Sequence, residues 1–200
     1  MDTESPYADV PPEQWPDITR KLVERHPLKQ FIVDFCLKSW QSILHGKINT
    51  YLNMLICEMS VSPQATGALL HDVIPEYISR NVEGFRKGYG KEKDIVCEYD
   101  DFYSMELKTS SQKSIYGNRS YAKSAGGKRK SGYYLAVRFE KINANQPELL
   151  SIQMGWLDHS DWIPQKSETG QQAALTKEAK EGKLLTLYEN VSQSRTRKRA

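Results

Sequence analysis

No apolar run in the sequence approaches the roughly 20 residues that a membrane-spanning helix needs. The opening MDTESPYADV is acidic and lacks the apolar centre of a secretion signal. A cytoplasmic protein with no membrane partner is expected. Cysteine is scarce: Cys36, Cys57 and Cys97 are odd in number and scattered, and two of them stand in apolar runs. That pattern excludes a disulfide framework and a paired-cysteine zinc site, and predicts buried free thiols in a reducing compartment. The four histidines, His26, His45, His71 and His159, share no metal-ligand spacing. Net charge is only +3, too little to argue for a polyanionic partner by itself.

One local absence says more. Between Thr109 and Gly132 there is no acid, while six basic residues occur: Lys113, Arg119, Lys123, Lys128, Arg129 and Lys130. Arg195, Arg197, Lys198 and Arg199 add a second basic cluster in a tail over residues 191–200. Such local fields suit a polyanion, and equally a pair of solubilising loops.

What is present is enough for one domain. Hydrophobic residues make up 38% of the chain and charged residues 26%, a balance that supports a real core. Four prolines in the first sixteen residues predict an irregular arm over 1–16, followed by one domain over 17–190. Helical patterning is expected from Asp17, as N-cap, up to Pro27. A second helix is expected over LKQFIVDFCLKSWQSILHG, closed by Gly46, and a third over INTYLNMLICEM. Ser62-Pro63 opens a further helical stretch in which Pro75 predicts a kink or a break. Strands follow: DIVCEY and FYSMELKT joined through Asp100-Asp101, then a loop over 110–131. YYLAVRFEKI reads as a buried strand, ELLSIQMGWLDHSDWI as another with a turn near Asp158, and KLLTLY as a last one. SETGQQAALTKEAKEGK reads as a loop leading to a short helix. Helices first and strands later argue an α/β or α+β domain.

Within this frame one constellation carries chemistry. Residues i and i+2 share a strand face, so Glu106 and Lys108 project together while Leu107 turns into the core. In a hairpin centred on Asp100 and Asp101, residues 94 and 107 lie roughly opposite, which lets Asp94 and Glu106 converge. Two carboxylates and the Leu107 carbonyl suit a hard divalent cation such as Mg²⁺. A neighbouring lysine would position or activate water and offset charge on a phosphate. An E-x-K pair on one strand face is equally an ordinary salt bridge. Glu98 shares the face of Asp94 and replaces it as ligand if the register differs. Asp100 and Asp101 read as turn formers.

The pieces D94-I-V and M105-E106-L107-K108-T109, with SGYYLAVRFEK and SIQMGWLDHSDWIPQ around them, resemble a type II restriction endonuclease of the PD-(D/E)XK nuclease superfamily. The signature covers about fifteen residues, with a wider resemblance over residues 60–175; Lys93 stands where the signature has proline. The resemblance implies a restriction-endonuclease-like fold: a central mixed sheet flanked by helices, behind a helical N-terminal region. It also implies Mg²⁺-dependent hydrolysis of phosphodiester bonds in double-stranded DNA by a homodimer, leaving a 5′-phosphate and a 3′-hydroxyl. Asp94 and Glu106 match the metal-binding acids and Lys108 the lysine. Superfamily members often carry a further acid on the preceding helix; Glu76 is the candidate, with Asp72 and Glu83 behind it. The expected function is sequence-specific cleavage within a restriction–modification system. A structure-specific repair or recombination nuclease of the same fold and a non-catalytic DNA-binding protein are the alternatives.

DNA contacts are expected in the acid-free tract. Lys113, Lys123, Lys128, Arg129 and Lys130 would meet phosphates, with Tyr116 among them. Asn118 and Arg119 suit base edges, because amide and guanidinium groups bond bidentately in the major groove. Gln171 and Gln172 are further candidate readers.

Overall fold

The computed structural model describes residues 4–47, 53–122, 131–143, 146–167 and 170–190. Helix α1 (Trp15–Arg25) begins two residues before Asp17, because Pro16 fits a first helical turn, where its missing N–H leaves no bond unmade. Pro27 stops it. Instead of continuing at once, the chain turns: the Leu28 N–H donates to His26 Nδ1 at 3.1 Å, and the Leu28 carbonyl accepts from Phe31 and Ile32. Helix α2 (Ile32–Leu44) therefore starts four residues later than the pattern predicts and buries Ile32, Phe35, Cys36, Trp40 and Ile43 along one stripe. The expected helix over INTYLNMLICEM does not form in its described part. Leu55 instead makes an isolated bridge with Lys47, followed by a short 3-10 turn at Ile56–Glu58.

Helix α3 (Pro63–Asn81) starts at Ser62, whose hydroxyl caps the Ala65 N–H at 3.2 Å, and runs as one element through Pro75. Strands β1 (Phe85–Lys87), β2 (Ile95–Cys97) and β3 (Met105–Ser110) follow, with β1 arising ahead of the first strand that the sequence pattern predicts. Asp100 does form a turn: its carboxylate accepts from the Phe102 N–H at 2.9 Å and starts a 3-10 turn over Asp101–Tyr103. The β2–β3 connection is thus wider than a tight hairpin.

Strands β4 (Tyr116–Asn118), β5 (Gly132–Phe139), β6 (Leu149–Leu157), β7 (Trp162–Pro164), β8 (Gln172–Leu175) and β9 (Leu184–Glu189) complete two sheets, with helix α4 (Lys177–Gly182) before β9. The main sheet has the order β1-β2-β3-β5-β6-β9 and is mixed, β3 and β5 being parallel and the other neighbours antiparallel. The small sheet, β4-β8-β7, occupies stretches that the sequence pattern assigns partly to loops.

Strand β5 lies between the two layers. Tyr133, Leu135, Val137 and Phe139 pack into the core shared with α1, α2 and α3, while Tyr134 and Ala136 pack with Trp162, Ala173 and Ala179 on the other side. Burial on both faces is why this segment is apolar almost throughout rather than alternating. Cys36 and Cys97 are buried free thiols, as expected, whereas Cys57 is a free thiol that is only half-buried. Trp156 and Trp162 are core residues. Among the described residues no helix is long and apolar enough to cross a membrane.

Candidate active site

The site forms where two strands part. Ile95 of β2 faces Met105 of β3, which puts residue 94 level with 106 and the expected 94–107 pairing one residue out of register. Past that point the Leu107 N–H does not meet a strand carbonyl from β2; it donates to Asp94 Oδ2 at 2.6 Å. The Asp94 side chain thus fills the fork between β2 and β3. Leu107 itself is fully buried, as its place in the strand alternation requires.

Glu106 and Lys108 share the other face of β3. Lys108 Nζ lies 3.4 Å from Glu106 Oε2 and donates to the Leu107 carbonyl at 3.1 Å. Glu106 is buried, only 4% exposed. Tyr121 closes over the pair: its hydroxyl is 3.4 Å from Glu106 Oε2, and Lys108 Nζ stands 5.2 Å from its ring centroid. Burial pushes the Lys108 pKa down, but Tyr121, Glu106 and Asp94 together outweigh it, so the ammonium is held above its ordinary range. Burial likewise pushes the Asp94 carboxyl up; the His71 imidazole, the Lys108 ammonium and the Leu107 N–H overcome that and hold it below the ordinary carboxylate range. Asp94 is a carboxylate, and Lys108 a cation, at neutral pH.

His71 reaches the fork from α3, with Nδ1 3.8 Å from Asp94 Oδ1. Two features of the helix place it there. Gly67, one turn earlier, allows close approach to β3: a Cβ at that position would stand 3.0 Å from Thr109 Oγ1. Pro75, one turn later, has no N–H to give the His71 carbonyl, which loosens the helix at that turn. Neither His71 nor Tyr121 stands out by spacing. The run Gly67…His71…Pro75, at four-residue intervals on one helix, is the signal that could have pointed to the histidine.

The remaining candidates are dispersed. Glu76 pairs with Arg80 at 2.7 Å, Asp72 with Lys87 at 2.6 Å, and Glu83 is exposed, so the helix residue that meets Asp94 is the histidine. Glu98 pairs with Arg86 at 3.4 Å. Asn118 Oδ1 caps the Ser120 N–H at 2.9 Å, and Arg119 Nη1 donates to the Ser167 and Gly170 carbonyls at 2.6 and 3.1 Å. Lys113 and Tyr116 are exposed. Lys123, Lys128, Arg129, Lys130 and the basic tail lie outside the described residues.

Among the described residues no cluster of three or more histidine, cysteine, aspartate or glutamate side chains is arranged to hold a metal. The charged donors at the fork are two carboxylates, with the His71 imidazole beside Asp94 and no thiolate. The Lys108 Nζ and Tyr121 hydroxyl contacts to Glu106 Oε2, each at 3.4 Å, are long for hydrogen bonds. Such a set fits a hard cation that keeps several waters, and not a tightly chelated soft one.

A mixed central sheet flanked by helices, behind a helical N-terminal region, is the architecture of a restriction-endonuclease-like fold. Comparison with known proteins makes the assignment specific. The family model of the ScaI restriction endonuclease matches residues 5–188, and the chain belongs to that family. It is 38% identical over 195 residues to the type II restriction enzyme ScaI of Streptomyces caespitosus, covering 93% of this chain and 86% of that one. The chain thereby falls among the type II site-specific deoxyribonucleases. No solved structure matches it significantly.

Proposed function

We propose that this protein cuts both strands of duplex DNA at a specific sequence, as the nuclease of a cytoplasmic restriction–modification system, with Mg²⁺ held by Asp94 and Glu106. The observation that carries this reading is the Asp94–Leu107 bond across the strand fork, which brings a second acid beside the Glu106–Lys108 pair. When bound, Mg²⁺ would supply Lewis-acid polarisation of the scissile phosphate and acidify a bound water. The protein's own part is positioning. Asp94 is ionised, with one oxygen anchored by a backbone N–H, so its other oxygen is aimed rather than free to rotate. Lys108 is held in its charged form, so it orients water by donation and offsets charge developing on the phosphate; it does not take the water's proton. Hydrolysis leaving a 5′-phosphate accords with the resemblance of D94 and E106-x-K108 to the nuclease signature.

A homodimer accords with the substrate. A duplex site with two-fold symmetry is met by two copies related by the same axis, one for each strand. Lys113 and the basic residues at 123, 128, 129 and 130 are proposed to neutralise phosphates flanking the site.

Incubation of phage DNA with protein and Mg²⁺ should produce discrete fragments, and chelation of the metal should stop the reaction. Lys108→Ala and Glu106→Gln should each lower the rate by at least about 100-fold. Intact DNA in the presence of Mg²⁺, or full activity in either variant, would sink the proposal.

A further inference from the structure

We infer that the cleft beside Asp94 reads base edges of the duplex, and that the carboxamides of Gln64, Gln112 and Gln172 do the reading. This rests on the nuclease reading above and assigns its specificity surface. The cleft, about 620 Å³, opens along the part of β3 that β2 no longer covers; Thr109 and Ser110 form part of its lining, and His71, the neighbour of Asp94, stands in its wall. DNA with a phosphate at the fork would therefore place nearby base pairs over this cleft.

The chemistry of the wall decides what it contacts. Among the described residues that line it there is no lysine, arginine, aspartate or glutamate. Phosphate tracks are built from cations, so a wall without them is not one; base edges are met by groups with matching donors and acceptors, carboxamides and guanidinium groups alike. A glutamine carboxamide both donates and accepts, and can pair bidentately with a base edge in the major groove.

The three amides stand on three separate, well-anchored pieces of backbone. Gln64 is in the first turn of α3. Gln112 follows β3, with its N–H bonded to Ser110 Oγ at 3.0 Å and its carbonyl to Arg138 Nε at 2.9 Å. Gln172 lies in β8, and its Oε1 accepts from Gln165 Nε2 at 3.2 Å, a bond that does not use its NH₂ donors. All three are exposed. Asn118 and Arg119, whose side-chain types suit base reading equally well, are instead committed to the protein: one caps a turn, the other holds two loop carbonyls.

The test compares wild type with Gln64→Ala, Gln112→Ala and Gln172→Ala in two assays. One sequences the ends produced from a genome with Mg²⁺. The other, independent of cleavage, selects bound duplexes from a randomised pool with Ca²⁺ in place of Mg²⁺. Each variant should lose roughly 5- to 150-fold discrimination at one position of the site, with the salt dependence of non-specific binding unchanged. The inference is overturned if two or more variants keep the wild-type preference at every position. It is also overturned if binding weakens equally for all sequences, or if the wild type selects none. Selection of a sequence without cleavage would sink the metal-site reading and leave this one standing.

Discussion

At the scale of single residues, histidine carries two unrelated tasks. His71 faces the fork, whereas His26 is structural. The His26 Nδ1 accepts the Leu28 N–H at 3.1 Å, so its Nε2 must be the donor to the Tyr103 carbonyl at 3.0 Å, and the ring is a neutral, fixed tautomer. Burial holds its pKa down at about 4, only partly offset by the Tyr103 carbonyl. In the unfolded chain it titrates near 6.5. Between those values the unfolded state takes up the extra proton, so stability is full above about pH 6.5, falls as pH drops and loses this contribution by about pH 4, a change of roughly 3 kcal/mol at most. Urea midpoints measured from pH 7 to 4.5 should show this slope in the wild type and a flatter one in His26→Gln. The tyrosine it holds ends the 3-10 turn between β2 and β3, so acid loosens the connection on which the site is built.

At the scale of elements, the approach of α3 to β3 determines whether the site is complete. Gly67 is what allows it, since even a methyl group there would sit 3.0 Å from Thr109 Oγ1. Gly67→Val should push the helix outward, costing about 1–3 kcal/mol of stability. It should also move His71 away from Asp94, with a fall in cleavage of roughly 10- to 100-fold. Initial rates taken well below the melting transition separate the two effects; an unchanged rate there would show that the helix position does not matter to the chemistry. Much of the element plan is visible in the sequence. The stripe of α2, the continuous apolar character of β5 and the cap at Ser62 are local patterns with local causes. Strand β1 and the small sheet are not visible, because three- and four-residue strands carry too few residues to show a period, and their pairing partners lie far away in the chain.

At the scale of the molecule, a buried ion cluster ties the beginning of the chain to its end. Lys183 Nζ contacts Asp158 at 2.7 Å and Asp161 at 2.9 Å, and lies 4.4 and 4.3 Å from the ring centroids of Tyr7 and Trp15. Ser5 Oγ and Trp156 Nε1 donate to Asp158 at 2.7 and 3.0 Å. The N-terminal arm is thereby docked against the end of β6. Burial raises the Asp161 carboxyl above its ordinary range, despite the pull of Lys183 in the other direction. Lys183→Met would leave two buried carboxylates without their cation and should cost about 3–5 kcal/mol, read as a lower urea midpoint. A variant as stable as the wild type would mean that the cluster contributes no net stability.

The sequence by itself determined that Glu106 and Lys108 stand side by side, because residues two apart on a strand share a face whatever the rest of the chain does. It also determined that Leu107 is core, that β5 is a buried strand and that the cysteines are free thiols. Only the tertiary structure decided that His71 and Tyr121 stand at the fork, that Glu76 does not meet Asp94 and that Arg119 is held by loop carbonyls. Those contacts join residues from separate elements, 13 to 51 positions apart in the bonds between Asp94 and Leu107 and between Arg119 and Gly170. They depend on strand register and helix approach, which packing of the whole core sets and no short pattern encodes.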